Sequence, residues 1–179
     1  MQRVAVLGDD EALLAAARSG DEASFEHLIQ PYLRAGFRLA MAMLRDPGES
    51  EDVLQDAMFR AWRSIGQVRS AAQLRGWFLT IVANRSRSIR KARRWSEIRR
   101  PDFRFARRTS LEGVDQREDL VRALHRLSPE DRAVVYLRFY EDMSTKDVAD
   151  ALGLSAGTAR TRLHRALQRL RIHVIEEDL

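Results

Sequence analysis

Apolar residues in the first half of the chain recur at helical spacing. After Asp21-Glu22, the residues Phe25, Leu28, Ile29 and Tyr32 fall at i, i+3, i+4 and i+7, the stripe of a helix with one buried face. Upstream, the alanine- and leucine-rich run from Glu11 to Arg18 stops at Ser19-Gly20, so a shorter helix precedes it. Pro31 predicts a kink or boundary in the second helix. Helical character then continues from Phe37 to Leu44, as far as the turn signal Asp46-Pro47-Gly48. A third helix is expected from Ser50 to about Ile65, with Glu51 and Asp52 in the first turn, where carboxylates complement the helix dipole. Gly66 to Leu74 reads as a loop carrying Arg69 and Ser70. Trp77 to Arg90 is helical again, with Trp77 and Ile81 as the inward residues and Phe78 and Val82 as further candidates. No segment alternates with period two, so no strand is expected.

The pattern fades from Lys91 to Arg108, where Pro101 interrupts, and it returns from about Asp115 with a stripe of Leu120, Leu124 and Leu127. Ser128-Pro129-Glu130 then supplies a cap, a first-position proline and a first-turn acid, which together start a helix. That helix closes after Tyr140 at Glu141-Asp142-Met143-Ser144. The expected organisation is all-α: an extension over 1–9, a helical domain over 10–94, a linker over 95–114 and a second helical domain over 115–179.

The segment from Thr145 to about Arg165 carries a helix-turn-helix pattern. A short helix buries Val148, Ala149 and Leu152, Gly153 can adopt the positive φ that follows a helix end, and Ser155 caps the next helix. On that second helix Ala159, Leu163, Ala166 and Leu170 share one face, and Arg160, Thr161, His164, Arg165 and Gln168 lie opposite. No acid occurs between Ala151 and Ile175. A donor-rich, basic face backed by small residues is what docking in a DNA major groove requires. Arg160 and Arg165 suit guanine or phosphate, Thr161 a thymine methyl or phosphate, and His164 a base edge or backbone, with Ser155 and Thr158 beside them. The plainer alternative is an amphipathic hairpin with solvated arginines.

Charge narrows the picture further. The net charge of +5 is unevenly distributed: residues 1–90 carry +1, 91–108 carry +6 and 109–179 carry −2. Lys91 and Lys146 are the two lysines, so nearly all the positive charge is on arginine, whose planar fork fits phosphate and guanine edges. The basic stretch is a linker by composition, and a solvated tether without specific contacts would look the same. Cysteine is absent, which excludes disulfides, thiolate metal sites and a cysteine nucleophile. His27, His125, His164 and His173 are scattered, with no pair at i, i+4, so neither a metal nor any other cofactor is expected. No apolar run long enough to span a bilayer or serve as a signal core is present, so a cytoplasmic protein is expected.

Three ordered blocks carry a family resemblance. The run from Asp52 to Trp62 (DVLQDAMFRAW), the run from Leu74 to Arg85 (LRGWFLTIVANR), and the carboxyl-terminal run from Leu127 through Ala166 together resemble the extracytoplasmic-function (group 4) sigma factors of the sigma-70 family. The resemblance implies a region 2 helical bundle and a region 4 helix-turn-helix domain. It also implies a non-enzymatic role: binding core RNA polymerase at the β′ clamp coiled coil and the β flap, recognising minus-35 and minus-10 promoter DNA, and stabilising strand opening. An anti-sigma factor is a further implied partner. On this resemblance Asp52, Gln55, Asp56, Phe59 and Trp62 contact core polymerase. Val68, Arg69, Ser70, Asn84, Arg85, Arg87 and Ser88 contact the minus-10 strand, and Ser155, Thr158, Arg160, Thr161, His164 and Arg165 contact the minus-35 duplex. Two departures are visible: Ala159 stands where the family often has a β-branched residue, and the loop from Gln67 to Gln73 lacks an aromatic residue.

The residues themselves leave alternatives. Asp52, Gln55 and Asp56 share one helix face and can meet a basic partner helix, or they can simply serve the helix amino terminus. Trp62 can equally be a core residue, and Trp77 and Phe78 fit a buried stripe as well as a melting wedge. A helix-turn-helix regulator that does not replace sigma is the rival function, followed by a metal-dependent nuclease and a pure interaction module.

Overall fold

The computed structural model describes the backbone of residues 3–99 and 123–176, and side chains over 10–94 and 123–170. Most of the expected linker and the start of the second domain, including Leu120 of its stripe, therefore lie outside the described residues, whereas Leu124 and Leu127 lie within them. Among these residues the chain is helical, with no strand.

The first unit is built from α1 (Arg3–Arg18), α2 (Glu22–Leu44), α3 (Pro47–Ser64) and α4 (Leu74–Arg99), with short 3-10 turns at Ile65–Gln67 and Ala71–Gln73. Asp21 caps α2 by accepting from the Ser24 amide at 2.9 Å. Of the kink or boundary expected at Pro31, the boundary is absent: α2 runs through it. Proline removes one ladder hydrogen bond, but its φ is already helical. Buried Leu28, Ile29, Ala35 and Leu39 hold the helix against the core on both sides.

Helix α3 begins three residues earlier than Ser50. Asp46 Oδ1 accepts from the Glu49 amide at 2.9 Å and Pro47 takes a first-turn position, so the residues that read as a turn are a helix cap. The inward face of α4 also differs from the expected one. Phe78, Leu79, Val82 and Ala83 are fully buried, whereas Trp77 and Ile81 are half-buried at the edge of the core. The loop expected from Gly66 to Leu74 contains the two 3-10 turns and is tied to α1, because Glu11 accepts from the Ala71 amide at 2.7 Å and Arg18 donates to the Val68 carbonyl.

Helices α2, α3 and α4 meet closely around Gly36. A methyl group there would lie 3.0 Å from Leu54, 3.1 Å from Phe78 and 3.4 Å from Val82. The helix surfaces therefore leave no room for a side chain at this position.

The second unit comprises the end of a helix over 123–126, then α5 (Pro129–Phe139), α6 (Thr145–Leu152) and α7 (Ala156–Glu176). Ser128, Ser144 and Ser155 cap α5, α6 and α7 respectively, each accepting from the amide three residues on at 3.1 Å. Gly153 has φ +60° and closes α6. Ala133, Val134, Leu137, Val148, Leu152, Ala159 and Ala166 form the interior. The two units are packed together, α5 on α2 and α6 on α4.

Candidate nucleic-acid and polymerase interfaces

On α3 the exposed face presents Asp52, Gln55 and Phe59, with Asp56 half-buried among them. Phe59 is 59% exposed and lies under the Arg63 guanidinium at 5.6 Å, an apolar side chain with no core to fill. Trp62 is directed elsewhere. It is half-buried and meets Phe25 edge to face, with ring centroids 5.1 Å apart, so its ring closes the seam between α2 and α3.

A cleft of about 560 Å³ separates α3 from α4, and it unites residues from two of the expected sets. Asp56 and Phe59 form one wall, and Asn84, Arg85 and Ser88 form the other. Asp56 joins the walls: its carboxylate receives Arg60 Nε at 2.6 Å and faces Arg85 Nε at 3.0 Å, the second an ion pair without hydrogen-bond alignment. A candidate polymerase-facing acid therefore holds a candidate DNA-facing arginine.

The rest of the expected minus-10 set divides. Val68 is 2% exposed, so its side chain is packed into the core and only its neighbours Arg69, exposed, and Ser70, half-buried, stand toward the surface. Asn84 and Ser88 are exposed on α4. Arg87 is half-buried, accepted by Asn84 Oδ1 at 2.6 Å and by the carbonyl of Leu152 on α6. Burial holds its guanidinium below the usual arginine range.

The outer face of α7 carries Arg160, Thr161, His164 and Arg165, all exposed, above the buried Ala159 and Ala166. Ser155 and Thr158 hydroxyls bond each other at 2.8 Å while Ser155 caps the helix. Thr161 donates back to the Gly157 carbonyl at 2.9 Å, which leaves its methyl and a lone pair outward. Beside this face a cleft of about 670 Å³ runs between α7 and the start of α5. Its residues include Asp131, Arg162 and Arg169, which sequence reasoning did not select. Asp131 had only the signal of a first-turn acid, and Arg162 and Arg169 only that of their seven-residue spacing on one helix side.

The seam between the units is polar at its ends. Arg132, 8% exposed, donates from Nε to the Ala42 carbonyl at 2.5 Å and from Nη1 to the Leu127 carbonyl at 2.6 Å. Burial, with Arg45 and Arg90 adding to it, pushes its guanidinium down to about 10. Glu141 accepts from Tyr136 at 2.5 Å and from Arg75 at 2.6 Å, and Arg90 pairs with Glu130. Along one side of the seam an apolar groove of about 770 Å³ is lined by Met41, Leu124, Val135, Phe139, Tyr140 and Leu167, together with Arg38, Arg45 and Arg132. Phe139 and Tyr140 are 58% and 71% exposed.

The Sigma-70 region 2 profile matches residues 28–96, and the Sigma-70 region 4 profile matches residues 117–170. The chain belongs to the sigma-70 family, in its extracytoplasmic-function class. Among its relatives, the RNA polymerase sigma-E factor of Streptomyces coelicolor is 35% identical over 167 residues, covering 89% of this chain and 91% of that one. The ECF RNA polymerase sigma factor SigM of Mycobacterium tuberculosis is 35% identical over 163 residues, covering 90% and 82%. Two solved structures share the fold. The sigma factor RpoE in complex with the anti-sigma factor NepR, from Bartonella quintana, aligns with a TM-score of 0.71 at 24% identity over 84% of this chain and 96% of that one. CnrH in complex with the cytosolic domain of CnrY gives 0.68 at 24% identity over 95% and 99%. No helix among the described residues is long and apolar enough to cross a membrane.

Proposed function

We propose that this sigma factor docks on core RNA polymerase through the exposed face of α3, using Asp52, Gln55, Asp56 and Phe59, and presents α7 to the minus-35 duplex. The opened minus-10 strand then meets Asn84, Arg85, Arg87 and Ser88 on α4, together with Arg69 and Ser70 of the preceding loop. The observation that carries this reading is the bare, acid-free outer face of α7, Arg160 to Arg165, backed by the two buried alanines. Small inner residues let α7 sit close on its scaffold while the donors project.

The two promoter elements require the units to part. Elements centred about 25 base pairs apart are separated by roughly 85 Å at 3.4 Å per base pair. A compact chain of 179 residues has a radius of gyration of only about 16 Å. Residues 100–114, beyond the end of α4, would reach roughly 50 Å if drawn out at about 3.3 Å per residue, which together with the breadth of the two units themselves spans that distance. In this reading residues 10–94 and 115–179 act as separate domains when bound to polymerase.

The packed state suits the anti-sigma partner. The groove beside Phe139 and Tyr140 spans both units and combines an apolar lining with arginines, so it fits an amphipathic helix bearing carboxylates. The anti-sigma partners named with the two structural relatives support this assignment. Such a partner would hold the units together and keep α7 from the spacing that promoter DNA demands.

Run-off transcription with purified core polymerase on a genomic promoter pool tests the function. Specific initiation only when this chain is added is the expected result. Duplex binding without initiation would instead make it a regulator that leaves sigma in place. Within the active holoenzyme, Arg160→Ala should cost about 1–3 kcal/mol of discrimination at one base position.

A further inference from the structure

Asp131 is an acid in a place where DNA binding argues against one. It is 7% exposed in the first turn of α5, at the back of the cleft that opens beside the outer face of α7. A carboxylate near a polyanion is repelled, and the remainder of the cleft is lined by hydroxyls and by Arg162, Arg165 and Arg169. Its own partners explain its presence. Oδ1 accepts from Arg162 Nη1 at 3.3 Å and Oδ2 accepts from Arg169 Nη1 at 3.3 Å. The two arginines are seven residues apart on α7, so one carboxylate from a different helix reaches two successive levels of the same side of the recognition helix.

The arginine exposures fit a role in orientation. The Arg162 and Arg169 side chains line the cleft and are 36% and 55% exposed, so each guanidinium is held at one end by Asp131 and is still part-open to solvent. A free arginine samples many rotamers, and one tethered at a single nitrogen meets a phosphate with most of that freedom already lost. Phosphate contacts are what set the register of a helix in the groove, whereas base contacts read the sequence.

We propose that Asp131 is a positioning residue for minus-35 recognition: it holds Arg162 and Arg169 in fixed attitudes along one side of α7, so that the pair grips the DNA backbone and fixes how Arg160, Thr161 and Arg165 approach the bases. This rests on the reading of α7 as the recognition helix. The chemistry required of the ligand is a pair of duplex backbone phosphates, and the reader of the sequence remains the outer face.

Asp131→Asn separates positioning from charge, because the two effects have opposite signs. The substitution keeps the side-chain size and leaves the backbone cap on Ser128 intact. Removing a negative charge raises affinity for any duplex, whereas releasing the arginines lowers affinity for the correct one. The test uses holoenzyme formed from core polymerase and the full chain. It compares a duplex carrying a minus-35 element selected by the wild-type holoenzyme from a randomised pool with a scrambled duplex of equal length.

The specific-to-scrambled affinity ratio should fall about tenfold in Asp131→Asn. Scrambled binding should be unchanged or tighter, and Asp131→Glu should restore part of the ratio. In an Arg162→Ala, Arg169→Ala background the Asp131→Asn change should have no further effect on the ratio. An unchanged ratio in the single variant overturns the inference. Equal weakening on both duplexes, tracking a lowered thermal midpoint, overturns it in favour of a merely structural acid. Failure of the wild-type holoenzyme to select any upstream element overturns the recognition-helix reading itself, a result distinct from the other two.

Discussion

Arg87 on α4 donates a hydrogen bond to the carbonyl of Leu152, the last residue of α6. A candidate DNA-contacting arginine in one unit is thereby satisfied by the carboxyl end of a helix in the other, the end where the helix dipole is negative. Together with Arg75 to Glu141 and Arg90 to Glu130, it forms an electrostatic seam that the proposed parting of the units would break. Each pair is partly exposed, so water and salt weaken it. Glu141→Ala should loosen the seam by about 1 kcal/mol or less. Because the native chain has no cysteine, a pair of engineered cysteines, one in each unit, can carry dyes. Energy transfer between them should fall in the variant and at high salt, and should fall further when core polymerase binds.

Phe59 and Trp62 are three residues apart and belong to different environments. Phe59→Ala removes an exposed ring, so thermal stability should change by no more than about 0.5 kcal/mol. Affinity for core polymerase, measured by titration of labelled chain, should drop by about 2 kcal/mol if the ring is an interface anchor. Trp62→Ala should do the reverse, costing about 3 kcal/mol of stability through loss of its packing on Phe25.

Gly36→Ala probes the tightest helix crossing. The added methyl would press on the fully buried Phe78 and on Leu54, which packs half-buried against the core. Overpacking of this kind should destabilise the chain by about 1–3 kcal/mol, visible in urea unfolding. The outer face of α7 is remote from that crossing, so minus-35 discrimination by the variant should be retained under folding conditions.

Acidification should lower stability through His125, whose carbonyl accepts a hydrogen bond from Arg45 of the other unit. Burial holds this imidazole below its usual 6.5, and the nearby Arg45 and Arg132 guanidiniums add to the depression. With the folded value below the unfolded one, the unfolded chain binds more protons between them, and stability rises with pH across that window. Thermal midpoints measured from about pH 8 down to pH 5 should decline as His125 is charged. His125→Gln should flatten the decline.

Much of the architecture was legible in the residues because helices are local. The Phe25 to Tyr32 stripe, the Ser128 and Ser155 caps and the positive φ of Gly153 all follow from spacing and backbone chemistry within a few residues. The errors arose where tertiary packing competes with local preference. Of the two outcomes expected at Pro31, the boundary is absent, because burial on both sides outweighed one lost hydrogen bond. The inner face of α4 centres on the further candidates Phe78 and Val82, with Trp77 and Ile81 at its edge, because Gly36 opens space for the first pair on α2.

The outer face of α7, its absence of acids and the three ordered blocks were determined by the sequence alone, since each depends only on which residues share a face or follow in order. Tertiary structure decided the rest. It placed Asp56 between Arg60 and Arg85, buried Val68, turned Trp62 onto Phe25, and brought Asp131 to Arg162 and Arg169 across a separation of more than thirty residues. The physical reason is range: periodicity and capping act within a turn or two of helix, whereas a carboxylate finds its guanidinium wherever folding brings the two within a few ångströms.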